Sequence, residues 1–427
     1  MIPERWENVA QALDAADPLR SFRERFYRRA GEIYLDGNSL GLLSRDAESS
    51  VLRVLDEWKT LGIEGWTAAD PPWFSFSETL ANSVAPLIGA DAGEVIVTGS
   101  TTVNLHQLLA TFYDPAAVKS RILADELNFP SDIFALQSHL RLRGLNPGEH
   151  LVRVPSRDGR TLEEDDIIAA MTEGNVQMAV LPSVVYTSGQ LLDMKRITQA
   201  ARDRDILIGW DCSHSIGAVP HALSEWGVDF AFWCHYKYLN AGPGSVGGLY
   251  LNRRHFGKSP GLAGWFGSRK DKQFAMEHTL IPADDAGAMQ IGTPHLLSLA
   301  PLEGTLRIHH EAGMDRLRAK SLALTAFLRE LTEAELVPLG VGVATPPEPE
   351  RRGGHLALIH PEAARISRAL RRAGVVPDFR PPDIVRLAPV PLYTSFADCV
   401  EAVRRLEVIL EARTYEANEE GAAGLVT

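Results

Sequence analysis

The stretch Leu207-Ile208-Gly209-Trp210-Asp211-Cys212-Ser213-His214 is a short apolar run ending on a carboxylate, with a histidine on the turn that follows. Runs of this length, bounded by polar residues, suit strands buried on both faces of a parallel sheet. Similar runs lie on either side: Val95-Ile96-Val97, Arg121-Ile122-Leu123, Met178-Ala179-Val180-Leu181 and Phe230-Ala231-Phe232, with helix-like stretches between them from about Thr79 to Leu251. Short apolar strands alternating with helices predict an α/β fold, a largely parallel sheet flanked by helices. Ligands of such sheets sit beyond the carboxyl ends of the strands, so the residues just after each run are where chemistry is expected.

Outside this region the pattern changes. Residues 1–50 read as an N-terminal segment that packs with a small domain, with a helix around Trp6 to Ala16 and an irregular loop at Leu35-Asp36-Gly37-Asn38-Ser39-Leu40-Gly41. Helical periodicity returns from Ala47 to Thr60, and Gly65 to Trp73 reads as a loop because consecutive prolines cannot continue a helix. Residues 51–305 form the expected large domain. After Pro301 one long helical pattern runs through Leu317 to Leu331, and Val341 to Pro349 is a Pro-rich break. Gly354 to Ile359, a helix near Ala363 to Ala373, Ile384 to Leu387 and a last helix complete a compact α+β domain, 306–427, with a frayed tail from about Asn418 to Thr427.

The 427 residues, 45% hydrophobic and 23% charged, suit a folded globular chain with two or three cores rather than a disordered one or a coiled coil. A net charge of -12 opposes capture by a phosphate backbone, and the arginines between Arg365 and Arg372 read as the solvated face of a helix; no nucleic-acid partner is expected. No run approaches the ~18–20 apolar residues of a membrane helix. The start Met1-Ile2-Pro3-Glu4-Arg5 lacks a signal-peptide core, so no membrane association and a cytoplasmic location are expected. Cys212, Cys234 and Cys399 are scattered, give no zinc spacing and read as buried small apolar residues; no metal site is expected.

Cys234-His235-Tyr236-Lys237-Tyr238-Leu239 follows the Phe230 run and sets a lysine among aromatics. A lysine downstream of an acid and a histidine can form a Schiff base with pyridoxal phosphate, while the acid, Asp211, holds the pyridine nitrogen protonated. Such a carboxylate is costly to bury unless it meets a cation or a donor, and a pyridinium supplies one. Thr98-Gly99-Ser100-Thr101-Thr102, opening a helix after the Val95 run, offers backbone donors to a phosphate, although alone it is also an ordinary helix cap. Phe129 in Asn128-Phe129-Pro130-Ser131-Asp132 stands where it can cover a cofactor ring or fill the core. The G-x-G-x-x-G match at Gly242 to Gly247 leads into a strand-like run rather than a helix, which argues against a dinucleotide site and for a tight turn beneath the cofactor.

Taken together, Asp211 to Gly217, Trp226 to Ala231, Tyr236 to Gly244, Leu35 to Gly41, Thr102 to His106, Asn128 to Asp132, Gly264-Trp265-Phe266-Gly267 and Val385-Arg386-Leu387-Ala388-Pro389-Val390-Pro391-Leu392-Tyr393 closely resemble the kynureninase family over nearly the whole chain. The resemblance implies the fold-type-I architecture of pyridoxal-phosphate enzymes, with a mostly parallel seven-stranded sheet in the large domain. It also implies a homodimer with the active site at the subunit interface, and hydrolysis of L-kynurenine or 3-hydroxykynurenine to anthranilate or its hydroxy form and L-alanine, in tryptophan catabolism. By matching motif positions, Lys237 resembles the Schiff-base lysine, Asp211 the pyridinium partner with His214 as its neighbour, Phe129 the ring-stacking residue with Asp132 beside it, and Thr101, Thr102 and Tyr236 the phosphate contacts. Tyr236 also resembles a proton relay. Trp265 and Thr293 resemble contributions from the second subunit, and some members carry Asn where this chain has Thr293. Arg386 resembles the arginine that forks onto the substrate α-carboxylate, and Ser39, Trp66 and Thr293 are candidates for choosing between the two substrates.

Three other readings compete. A cysteine desulfurase needs a nucleophilic cysteine on a mobile loop, whereas Cys212 and Cys234 adjoin the cofactor motifs and Cys399 falls in a late helical pattern. A class V aminotransferase shares both the lysine and the carboxylate-binding arginine. A non-enzymatic pyridoxal-binding regulator usually carries a DNA-reading module, and neither an extra domain nor a basic face is present here.

Overall fold

The computed structural model describes residues 2–416; the tail from Asn418 to Thr427 lies outside the described residues. After a two-residue strand β1 (Ile33–Tyr34), the chain builds a seven-stranded sheet from β2 (Val95–Val97), β3 (Arg121–Asp125), β4 (Leu151–Val154), β5 (Val176–Pro182), β6 (Leu207–Asp211), β7 (Phe230–Trp233) and β8 (Gly248–Leu251), in the order β2-β8-β7-β6-β5-β3-β4. All neighbours are parallel except those of β8, which runs against both β2 and β7. β5, β6 and β7 are buried almost end to end, as their unbroken apolar runs require. Gly209 in β6 lets the Phe230 ring approach the backbone closely; a Cβ there would stand 2.0 Å from the ring.

β4 has no counterpart among the runs picked out above. It is an edge strand, half-exposed with Arg153 in its middle, so it shows no continuous apolar signal. A second sheet follows, antiparallel throughout, from β9 (Gly342–Val343), β10 (Leu356–Ile359), β12 (Asp378–Arg380) and β13 (Ile384–Leu387) in the order β12-β13-β10-β9. β1 pairs in parallel with β11 (Val375–Val376), joining Ile33 to Val375. One apolar core, from Val54 to Leu306, surrounds the large sheet, and a second gathers Ile2, Ala10, Ile33 and Leu35 with residues from Leu324 to Tyr415.

Two further details, both in the helices, differ from the sequence reading. The single helical pattern after Pro301 is two helices, Leu296–Ala312 with Pro301 inside it and Met314–Leu331, separated by Gly313 at φ 76°. The stretch from Gly65 to Trp73, read as a loop, contains one helical turn, Gly65–Ala68. Among the described residues no helix is long and apolar enough to cross a membrane.

The N-terminal loop reaches across to the lysine turn. The Gly41 amide donates to the Tyr236 carbonyl at 2.7 Å, and a Cβ on Gly41 would lie 2.2 Å from Asn240 Oδ1 and 2.5 Å from the Lys237 carbonyl. Gly41→Ala is therefore expected to displace the Lys237 turn and cost about 1–3 kcal/mol, as overpacking does. Thermal unfolding and retained pyridoxal phosphate, measured on one preparation, should both fall; unchanged values would show that the turn yields freely.

Candidate active site

A cavity of about 400 Å³ opens at the carboxyl ends of the parallel strands, lined among others by Asn38, Ser39, Thr101, Thr102, Phe129, Asp132, Asp211, His214, Tyr236 and Lys237. Ten residues of the motifs thus meet in one place, although they come from five separate stretches of chain. A larger surface groove, about 1040 Å³, lies against the helices Glu4–Ala16 and Phe396–Glu411. Its charged side chains neutralise one another, as in the Lys320–Asp17 pair at 2.7 Å, and it gathers no comparable chemistry.

Lys237 sits in a turn after β7 that is pinned from several sides. The Asn240 amide donates to the Lys237 carbonyl at 2.9 Å, with Asn240 in the left-handed region at φ 57°. His235, fully buried, lies 2.6 Å from the Val246 carbonyl through Nδ1 and accepts from Trp233 Nε1 at 2.8 Å. On this fixed base Lys237 Nζ lies 2.9 Å from His214 Nε2 and 5.9 Å from the centre of the Phe129 ring. Burial, then the Lys237 charge, hold His214 well below the ordinary histidine range, so its ring is neutral and can accept from Lys237.

Asp211 ends β6 and Asp132 lies in the first turn of the helix Pro130–Leu142. Burial raises both carboxyls; Asp132 is lifted further by the Asp211 charge, while Asp211 is favoured by Lys237 and by the Ser213 amide, 2.8 Å from its Oδ1. Of the two, Asp132 is therefore the more easily protonated and Asp211 the one favoured as carboxylate. The Tyr236 phenol is pushed up by the neighbouring Cys234 and by burial, and so remains a donor at neutral pH.

The helix Thr101–Phe112 points its open first turn into the cavity, and no side chain caps it. Gly99 at φ 56° turns the chain into that helix, and Thr102 Oγ1 and Ser131 Oγ lie 2.7 Å apart. The glycine run completes the cradle. Gly247 passes so close that a Cβ would stand 3.0 Å from the Thr101 amide nitrogen, while Gly242 and Gly244 turn at φ 83° and 69°.

These groups fit pyridoxal phosphate: an amine for its aldehyde, a carboxylate for its ring nitrogen, an aromatic face, and a helix N-terminus with two threonines for its phosphate. Asp132 Oδ2 and His214 Nδ1 are buried without a protein partner, which leaves polar valence for a bound group.

Four expected residues do not line this cavity. Trp66 packs edge-on against Trp73 at 6.0 Å and Trp265 against Phe274 at 5.5 Å, and Thr293 lies in the turn before the helix Leu296–Ala312. Arg386 in β13 is completely buried behind the wall. It pairs with Asp378 and donates to the Tyr186 carbonyl at 2.6 Å and to Ser39 Oγ at 3.2 Å, and burial brings its guanidinium down to about 10, still charged at neutral pH. Arg380, which does line the cavity, was not singled out from the sequence, nor were Tyr186 and Ser131. Tyr186 follows the end of β5 and could have been found by the rule that located Asp211. Arg380 lies in β12, too short a strand to signal itself.

Fold and site together define a fold-type-I pyridoxal-phosphate enzyme. The chain matches the class-V aminotransferase family over residues 57–357 and the kynureninase C-terminal domain over residues 317–406. Similar solved structures include a C-DES mutant with glycine covalently linked to its pyridoxal-phosphate cofactor (TM-score 0.78, 18% identity, 90% of this chain and 98% of that one). Another is the apo cysteine desulfurase of Thermococcus onnurineus NA1 (TM-score 0.76, 16% identity, 92% and 98%); at these identities the likeness is one of fold. Among curated relatives, the kynureninase of Geobacillus thermodenitrificans (strain NG80-2) is 58% identical over 407 residues, 95% of each chain. That of Bacillus anthracis is 59% identical over 94% of each, and that of Shouchella clausii (strain KSM-K16) 56% over 96% of each. The chain belongs to the kynureninase family, pyridoxal-phosphate-dependent hydrolases that act on carbon–carbon bonds.

Borohydride reduction of the holoprotein is expected to fix the cofactor on Lys237, and Lys237→Ala to abolish the visible absorption of that linkage; an adduct mapped to any other lysine would refute the site. Asp211→Ala should lower turnover about 100-fold or more, which is about 2.7 kcal/mol of barrier. Near-normal turnover in a variant that still binds cofactor would show that the ring nitrogen is held elsewhere.

Proposed function

We propose that this chain hydrolyses the Cβ–Cγ bond of L-kynurenine, giving anthranilate and L-alanine, and takes 3-hydroxykynurenine by the same route. The observation that carries the reading is the meeting of Lys237, His214, Asp211 and Asp132 in one cavity, in a chain so similar to kynureninases. Bound pyridoxal phosphate supplies a carbonyl for the substrate amine and an electron sink for the carbanions formed beside it. Lys237 Nζ takes the proton from Cα and returns it, with neutral His214 as its hydrogen-bond partner. Asp211 keeps the ring nitrogen protonated, and the proton on Asp132 prevents two adjacent carboxylates from repelling one another. Phe129 covers the ring face. Thr101, Thr102 and Tyr236 hold the phosphate, and Tyr236 is placed to pass a proton. Water adds to the γ-carbonyl, the Cβ–Cγ bond breaks, and the β-carbon takes up a proton to become the methyl group of alanine.

Arg386 binds the substrate α-carboxylate in this reading, with Ser39 beside it. Both terminal nitrogens of Arg386 already have partners in Asp378, Tyr186 and Ser39, while its Nε has none, so a substrate carboxylate must share at least one occupied nitrogen rather than meet an open fork. Trp265 and Thr293 then reach the site from a second subunit, and Ser39, Trp66 and Thr293 bear on the choice between the two substrates. A homodimer is supported by exposed apolar side chains that monomers rarely gather: Trp58 and Leu297 line one shallow hollow, and Trp265 and Phe274 are in ring contact at the surface. We place the enzyme in the cytoplasm, and take residues 51–305 as the cofactor domain and 306–427 as the small one.

Incubation with L-kynurenine and pyridoxal phosphate, without any keto acid, is expected to yield anthranilate and alanine in equal amounts; a requirement for a keto acid would instead identify an aminotransferase. Arg386→Lys should lower kcat/KM about 100-fold with cofactor content intact, because an ammonium cannot reproduce the planar two-donor fork. Near-normal kcat/KM would move the carboxylate to another residue, Arg380 first. Sedimentation of the holoprotein should give twice the chain mass; a monomer with full activity would remove the second subunit from the site.

A further inference from the structure

His214 has a second ring nitrogen that the mechanism leaves unused. Lys237 Nζ lies against Nε2 at 2.9 Å, so in the neutral ring that accepts from Lys237 the proton sits on Nδ1. That Nδ1 is buried and has no hydrogen-bond partner in the protein. A buried N–H without an acceptor is costly and would favour the other tautomer, the one that turns an N–H toward Lys237.

The side chain in ring contact with His214 across the domain boundary is His355, immediately before β10, with ring centres 6.0 Å apart and planes at 60°. His355 is completely buried, and neither of its nitrogens makes a well-formed hydrogen bond. The Thr187 backbone faces the ring as an acceptor. The ring is held in place by backbone: a Cβ on Gly189, at φ 76°, would stand 3.1 Å from His355 Nε2, and the Gly353 amide donates to the Gly189 carbonyl at 2.8 Å. The Tyr238 hydroxyl, also buried and without a partner, lies beside Gly354. The unsatisfied polar atoms around these two imidazoles supply the two to four partners that a bridging water needs.

We propose that His355 is a positioning residue for the reactive lysine: through one water it accepts the His214 Nδ1 proton, fixing the tautomer in which His214 Nε2 accepts from Lys237. The relay runs Lys237 N–H to His214, His214 N–H through water to His355, and His355 N–H to the Thr187 carbonyl. It ties the small-domain sheet to the lysine of the large sheet. The charged and titratable groups facing His355 are His214 and Lys237 from the large sheet and Arg380 and Arg386 from β12 and β13. Burial and these cations hold His355 well below its ordinary range, so it is a neutral acceptor.

This inference rests on Lys237 being the cofactor lysine. Apoprotein is mixed with pyridoxal phosphate across a pH series, and the rate at which the visible band appears reports how readily Lys237 presents a free amine. His355→Leu removes the acceptor, His214 turns its N–H toward Lys237, and the ammonium loses a partner; the capture profile should move at least half a pH unit lower, with kcat down about tenfold and KM within twofold. His355→Gln keeps an acceptor and should restore both to within twofold. An unshifted profile in a normally melting His355→Leu protein overturns the relay, as does equal damage by Leu and Gln, which would mark a packing role. Nitrogen-15 NMR of histidine-labelled wild type decides the matter if neither variant folds: His214 must carry its proton on Nδ1, and a proton on Nε2 overturns the proposal. A borohydride adduct on another lysine would instead bring down the assignment of Lys237 itself.

Discussion

Two buried carboxyl groups and one lysine amine share a pocket, and the surrounding structure is arranged around the cost of keeping them there. Buried charges are expensive unless paired, and Asp132 and Asp211 lie too close together for both to ionise cheaply. Lys237 provides one counter-charge, and a protonated ring nitrogen would provide the next. The parallel sheet makes this grouping possible because it delivers the ends of β6 and β7, and the turns after them, to one edge. Backbone hydrogen bonds do the fine placement, as where the Ser183 amide donates to the Asp211 carbonyl at 2.9 Å and Ser183 Oγ to the same oxygen at 2.8 Å.

Much of this was legible because parallel strands buried on both faces must be continuously apolar. Val95–Val97 and Phe230–Trp233 were found within a residue of their true bounds, and every residue sought after the ends of such runs lines the cavity. The rule failed where burial is one-sided. Leu151–Val154 at the sheet edge and Asp378–Arg380 in the small sheet are short and interrupted by charged residues, and both were missed. Arg380 went with the second of them. The break at Gly313 was hidden for a different reason: the helices on either side share a similar periodicity, and one glycine at a positive φ separates them.

Arg386 shows what a motif cannot say. Its position in Val385-Arg386-Leu387 marked it as a substrate ligand, but besides Asp378, opposite it in the neighbouring strand β12, it is held by Tyr186 and Ser39, which come from two distant stretches of chain. No spacing in the sequence links them. Trp66, Trp265 and Thr293 pose the same difficulty in another form, since their motifs marked them for the site and yet none of them lines the cavity within this chain.

The pairing of β1 with β11 bears on how the chain is made. Ile33 leaves the ribosome early and Val375 late, so the first strand of the protein waits without its partner through most of synthesis. Strands β2 to β8 are consecutive in the chain and can close their sheet during that interval, since long-range pairings are the slow ones. Gly41, which packs on the lysine turn, belongs to the waiting segment. A nascent chain can therefore hold a nearly finished sheet while its cofactor turn is still uncovered, and the pocket is sealed only when the last hundred or so residues have emerged and drawn the beginning of the chain into place.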